Sequence, residues 1–116
     1  SSTDGFSNDW HFVHLGGFAT GGAGLVFTEA TAVVPEGRIS PQDLGIWDDA
    51  HVEGLRRITA FVRSQGAAVG IQLAHAGRKA STKRPWEGSG VVKPVDGGWE
   101  NVMAPSVVPF SETYPT

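Results

Sequence analysis

The order of three apolar segments constrains the fold of this chain more than any other feature. Residues 25–30 are rich in β-formers and apolar on both faces as far as Phe27, which predicts a buried parallel strand. Residues 67–74 repeat that pattern. Between the two strands lies one helical apolar stripe, made of Val52, Leu55, Ile58, Phe61 and Val62. Strand, helix and strand in this order predict a right-handed parallel crossover, and hence an α/β fold.

Capping residues mark the ends of two predicted helices. Asp48 or Asp49 is suited to start the helix between the strands, and Gly66 is suited to end it. An earlier helix is predicted after an N-cap at Ser7 or Asn8, and it stops before residues 21–22, both glycine. Because that helix carries glycines at residues 16–17, we expect another element to pack very close to it.

Composition excludes several function classes. The net charge of -3 argues against binding to nucleic acid, which requires a basic surface. With no cysteine among 116 residues, neither disulfides nor thiolate metal sites are available. The sequence has no apolar run of about 18 residues and no basic-then-apolar leader, so we expect no membrane span and a cytoplasmic protein.

Polar residues at the predicted strand ends are the main candidates for ligand binding. In parallel α/β sheets, ligands bind where strands pass into their loops. Gln72 lies between apolar neighbours, so its amide is expected to be buried and to need partners from the backbone or from a ligand edge such as a flavin pyrimidine. Glu29 is read either as a solvated or capping residue or as a ligand contact.

Two further patterns have simpler readings. The glycines of residues 16–24 follow a helix and precede a strand, which is the reverse of a phosphate loop, so we expect them to end the helix. His11 and His14 share a helix face, but no third ligand has a zinc-like spacing. We therefore predict no metal site and a structural role for this pair, although one of the two histidines could face a ligand.

A local basic loop follows the second strand in an otherwise acidic chain. It either is solvated or recognises a phosphate or carboxylate. Its cations are Arg78, Lys79, Lys83 and Arg84.

Several separate motifs, in the right order, closely resemble the Old Yellow Enzyme family. They are residues 22–33, 35–39, 44–47, 70–80 and 84–88. The likeness is strongest to the bacterial branch that includes the xenobiotic reductases, and it runs from Ser1 to Phe110.

The resemblance implies a (β/α)8 barrel that binds flavin mononucleotide (FMN) non-covalently at the carboxyl ends of its strands. Such enzymes take hydride from NADPH or NADH and reduce α,β-unsaturated substrates, both enones and nitro compounds. By the same resemblance, Ala30 meets the flavin through its backbone, and the Gln72 amide binds the pyrimidine edge. The protein supplies position and electrostatics for the chemistry of the cofactor.

A complete barrel needs about 250 residues, and this chain has 116. We therefore expect residues 1–116 to be part of a barrel, from its first helix through the excursion after its third strand. The catalytic groups of the family are expected outside this segment, so no catalytic residue is assigned within it. Its expected partners are the remainder of the barrel and, in a homo-oligomer, further copies. The alternatives are a non-catalytic small α/β binding or scaffold domain and an unrelated phosphate-binding barrel fragment.

Overall fold

The computed structural model describes residues 1–114 and contains one parallel sheet with two helices packed on it. The helices are α1, Asp9–Thr20, and α2, Val52–Ser64. The strands are β1, Leu25–Ala32, β2, Leu44–Gly45, and β3, Ala68–Ala74. Their order in the sheet is β2-β1-β3, and both pairings are parallel. The predicted α/β segment with a β1–α2–β3 crossover is confirmed.

α1 begins where the sequence predicts, whereas the predicted cap of α2 starts a short 3-10 turn that precedes that helix. Asn8 is the N-cap of α1, and its side-chain oxygen accepts a hydrogen bond from the backbone of Trp10. Asp48 caps a short 3-10 turn, Asp49–His51, that leads directly into α2. At the other end, Gly66 has a φ of +83°, a left-handed conformation that glycine adopts without strain.

The core lies between the helices and one face of the sheet. Its buried members are Leu15, Ala19, Val26, Ile58, Val62 and Ala67. Gly16 allows the helices to approach, because a Cβ there would lie 2.9 Å from Cε1 of Phe61. The predicted close packing at residues 16–17 is thus confirmed for Gly16 but wrong for Gly17, where a Cβ would meet no atom within 4 Å.

The other face of the sheet is open, which corrects the prediction of strands buried on both faces. Leu25 is 53% and Phe27 57% exposed. The helices cover only the opposite face, and no described residue forms a second layer here. The Phe27 ring lies across its neighbour on β3, Gly70, where a Cβ would be 2.4 Å from that ring.

Two long connections leave the carboxyl edge of the sheet. The first contains β2, whose two residues pair with Thr31 and Ala32 and which the sequence analysis missed. The second is the excursion, residues 75–114, which has only short 3-10 turns and isolated bridges as regular structure. No helix among residues 1–114 has both the length and the hydropathy needed to cross a membrane.

Candidate functional site

Ala30 and Gln72 are neighbours at the carboxyl edge of the sheet. They are Cα partners in the register of β1 with β3, and two further rungs complete the strands beyond them. The two residues selected from the sequence therefore lie side by side on adjacent strands. The edge on which they lie is where parallel α/β sheets bind ligands.

A β-bulge directly precedes Ala30. The register of β1 with β3 shifts between Phe27 and Ala30, so β1 contains one extra residue there. The backbone N–H of Gln72 donates to Thr28 Oγ1 at 3.2 Å. Thr31 Oγ1 is 3.0 Å from Thr28 Oγ1 and donates to the carbonyl of Glu29 at 2.8 Å. Because Thr28 and Thr31 are buried, these bonds fix the bulge and the direction of the strand end.

The side chain of Gln72 is exposed, which corrects the prediction of a buried amide. Its neighbour Leu73 is exposed as well, because the described residues leave this part of β3 uncovered. The amide therefore presents two donors and one acceptor outward at the strand end. An exposed primary amide next to the backbone of Ala30 fits the pyrimidine edge of a flavin, which alternates donors and acceptors.

His11 connects the start of α1 to the end of β1. It is 1% exposed. Its Nδ1 accepts from the backbone N–H of Asn8 at 3.1 Å, and its Nε2 is 3.1 Å from Glu29 Oε1. With Nδ1 as acceptor, this network assigns the ring proton to Nε2, which donates to the carboxylate. The bond from His11 is the main reason that the pKa of Glu29 is lowered. Glu29 is therefore hydrogen-bonded to His11 rather than freely solvated.

A cavity of about 530 Å³ lies beside Ala30. The buried His11 and the more exposed His14 both line it, so the prediction that one of these histidines could face a ligand is consistent with their position. His14 stacks on Trp10 with ring centroids 4.5 Å apart. Across the described residues, no group of three potential metal ligands comes together.

The basic loop is largely engaged in contacts of its own. Arg84 pairs with Glu87 at 2.5 Å, which lowers the pKa of Glu87 to about 2. The ammonium of Lys79 lies 4.1 Å from the centroid of the Phe110 ring. Only Lys83 and Arg84 of the four cations line the cavity beside Ala30. Anion recognition by the whole loop is therefore not supported by its geometry.

His75, directly after β3, stabilises the turn that follows this strand. Its Nδ1 accepts from the backbone N–H of Gly77 at 3.0 Å. Its ring packs on Gly37, where a Cβ would lie 2.9 Å from Cδ2. The sequence analysis did not anticipate the contact with Gly37, because Gly37 lies far from His75 along the chain.

Comparison with known proteins gives matches along most of the chain. The sequence profile of the NADH:flavin oxidoreductase / NADH oxidase family matches residues 1–105. An NADH:flavin oxidoreductase of Gibberella zeae is 51% identical over 110 residues, which are 93% of this chain and 27% of that protein. An NADPH dehydrogenase of Geobacillus thermodenitrificans is 46% identical over 113 residues, which are 97% of this chain and 28% of that protein.

Solved structures agree on the fold. The old yellow enzyme from Trypanosoma cruzi superposes with a TM-score of 0.69 at 25% identity, over 96% of this chain and 29% of its own. The chain thus spans between a quarter and a third of the length of each of these relatives. The predicted segment of a (β/α)8 barrel is confirmed.

Proposed function

This chain belongs to the NADH:flavin oxidoreductase / NADH oxidase family, and on that premise we propose that it forms part of an FMN-dependent oxidoreductase. The reductant is NADPH or NADH, and the substrates are activated alkenes, including enones and nitro compounds. Residues 1–116 contribute one section of the barrel, and the remainder of the barrel is their main partner. We also propose that the protein forms a homo-oligomer and that it is located in the cytoplasm.

One observation carries the assignment of the cofactor contacts. Ala30 and Gln72 are paired in register at the carboxyl edge of the sheet. Gln72 offers an exposed amide to the pyrimidine edge of FMN, and Ala30 offers its backbone next to it. FMN, when bound, supplies the hydride-transfer chemistry. The residues of this segment hold and orient the cofactor, and none of them is assigned a catalytic role.

The contribution of Gln72 is testable in the full-length gene product. Gln72→Leu keeps the approximate size of the side chain but removes its hydrogen bonds. We expect affinity for FMN to fall about tenfold or more, because one or two buried hydrogen bonds to the ligand are lost. The measurement is titration of the flavin-free protein with FMN, followed by flavin absorbance, together with NADPH consumption in the presence of cyclohexenone.

Gln65→Leu is the matched control, because Gln65 is an exposed glutamine at the end of α2 whose side chain is bonded to Ser64 alone among the described residues. The control should bind FMN as the unaltered protein does. Unchanged FMN affinity in Gln72→Leu would contradict the assigned contact. A colourless unaltered protein that takes up no FMN would contradict the proposed function itself.

The open face of the sheet argues against the alternative of a self-contained binding or scaffold domain. Leu25 and Phe27 each expose more than half of their surface. Covering apolar surface stabilises a fold by roughly 25 cal/mol per Å², so leaving two such side chains uncovered is unfavourable. In a barrel, this face is turned towards the interior and packs against the remaining strands.

A further inference from the structure

Five flat side chains from separate parts of the chain form one continuous series of cation–π and edge-to-face contacts, here called the aromatic column. Arg38 lies 4.7 Å from the ring centroid of Trp99 and 5.3 Å from that of Trp47. The ring of Trp47 is 4.7 Å from His51, and that of His51 is 4.5 Å from Phe6, both edge to face. The column therefore connects the excursion, the β1–β2 connection, the start of α2 and the N-terminal turn.

Glycines next to the aromatic column leave the space that the Trp47 ring occupies. A Cβ on Gly45 would lie 2.1 Å from the Trp47 ring, and a Cβ on Gly5 would lie 2.6 Å from it. Gly5 also has a φ of +78°, which disfavours any other residue. Trp47 thus packs closely against two backbone segments. Such tight packing makes the position of its neighbour Arg38 well defined.

Arg38 also closes the β1–β2 connection by hydrogen bonding. Its Nε donates to the carbonyl of Pro35 at 2.7 Å, and its Nη1 donates to the carbonyl of Pro41 at 3.1 Å. A planar guanidinium can stack on two rings and donate in its own plane at the same time, which an ammonium cannot do. The side chain of Arg38 therefore holds the connection at residues both before and after position 38.

The backbone on either side of Arg38 is bonded to the chain that follows β3. The carbonyl of Gly37 accepts from the N–H of Ala76 at 2.8 Å. The carbonyl of Ile39 accepts from the N–H and the Oγ1 of Thr82, at 2.7 and 2.9 Å. Ala76 lies just beyond the strand end that carries Gln72. A displacement of residues 37–39 would consequently move the chain that leaves the candidate flavin edge.

We propose that Arg38 is a positioning residue for the flavin edge. It holds residues 37–39 through the aromatic column, and these residues hold the end of β3 through Ala76 and Thr82. The inference rests on the proposed function, because the edge being positioned is the one assigned to FMN. Arg38 itself touches neither Ala30 nor Gln72, so its effect on the cofactor is indirect.

The test uses the full-length gene product with Arg38→Met and Arg38→Lys. Arg38→Met removes the charge and both hydrogen bonds, whereas Arg38→Lys keeps a cation near the rings without the planar fork. We expect Arg38→Met to weaken FMN binding about tenfold, because residues 37–39 then hold the end of β3 less firmly. Arg38→Lys should recover part of that loss. Arg63→Met, which alters an exposed arginine in the last turn of α2, is the control.

Hydrogen exchange provides a second measurement that does not depend on flavin. In the flavin-free protein, Arg38→Met should speed exchange of the Ala76 and Thr82 amides at least several-fold, while the core amides of α2 keep their protection. Faster exchange at these two amides together with weaker FMN binding would support the proposal. Unchanged exchange at both amides would overturn the mechanical link, and faster exchange with unaltered FMN affinity would overturn the positioning role.

The two proposals fail in different ways. If the unaltered protein binds no FMN, the proposed function is refuted and the effect of Arg38 on the cofactor is refuted with it. The exchange of Ala76 and Thr82 in Arg38→Met would still show whether the column holds the end of β3. If the unaltered protein binds FMN and Arg38→Met does so equally well, only the role of Arg38 is refuted.

Discussion

The two helices begin with the same local structure but connect it to different parts of the fold. At the start of α1, the backbone N–H of Asn8 donates to Nδ1 of His11 at 3.1 Å, and in the 3-10 turn that leads into α2 that of Asp48 donates to Nδ1 of His51 at 3.3 Å. In each case histidine occupies the position that glutamate or glutamine takes in a capping box. The caps are thus near copies of each other.

The second ring nitrogen makes the difference. Nε2 of His11 meets a titratable carboxylate, Glu29, next to Ala30 and the cavity. Nε2 of His51 is 2.8 Å from the carbonyl of Asp4, which does not titrate, and its ring lies inside the aromatic column. One capping pattern therefore contacts the candidate site at the start of α1 and belongs to the aromatic column just before α2. A short sequence pattern can fix the start of a helix without fixing its tertiary partner.

Replacing each histidine by alanine should give the largest effects and should separate the two caps. His51→Ala leaves the carbonyl of Asp4 without a partner and opens a gap between Phe6 and Trp47, so we expect a loss of about 3 kcal/mol in the free energy of unfolding. His11→Ala should lose about 2 kcal/mol, because the part-exposed Glu29 can turn to water. Urea unfolding of the full-length protein measures both. Equal losses would contradict the distinction drawn between the two joints.

Replacing the two N-caps should instead give equal effects. Asn8→Ala and Asp48→Ala each remove a side-chain acceptor at a helix start, and we expect each to cost about 1 kcal/mol. The difference between them should be smaller than the difference between the histidine variants, since the caps are alike and only their long-range partners differ. The same urea unfolding measures this, and a clearly larger loss for either variant would show that the N-caps also have unequal tertiary roles.

The smallest expected effect is a dependence on pH that belongs to α1 alone. Folding lowers the pKa of Glu29 below its ordinary value of 4.5, chiefly through the bond from His11. The stability contributed by this shift is present above the unfolded pKa and is lost as the pH falls through the folded pKa. Because Glu29 is part-exposed, the contribution should stay below about 1 kcal/mol.

Glu29→Gln should therefore reduce the difference in stability between neutral and acidic solution. The quantity to compare is the free energy of unfolding of this variant and of the unaltered protein as the pH is lowered from neutral. Asp43, whose pKa is raised by burial, contributes with the opposite sign in both proteins and cancels in the difference. An identical pH dependence in the two proteins would show that the pair of His11 with Glu29 does not contribute to stability.

Features set by local sequence were predictable. The apolar stripe of α2, the N-cap of α1 and Gly66 are determined within one or two helical turns, and their predicted positions match the structure. The β1–α2–β3 crossover follows from the order of the segments. The placement of Ala30 and Gln72 at strand ends was reached through the family motifs together with the rule that parallel strands end at one edge, whereas their pairing in register is seen only in the structure.

Features set by distant contacts were not predictable. β2 has only two residues, too few to show any periodicity. The bulge before Ala30 depends on hydroxyl bonds from two threonines of β1. The aromatic column unites residues from Phe6 to Trp99, and nothing in the local sequence of Arg38 indicates two ring partners. The exposure of Gln72 was missed because an apolar strand gives no sign of which face the described residues leave uncovered.

The contact between Phe27 and Gly70 has a consequence for anyone who redesigns this sheet. The two positions share the volume of a single large side chain, so neither can be chosen independently of the other. A bulky residue at position 70 requires a small one at position 27. If a library of variants changes only one of the two positions, most of its members have either a steric clash or a packing gap there. If both positions are varied together, the large and the small residue can be exchanged, which moves apolar volume from one strand to its neighbour.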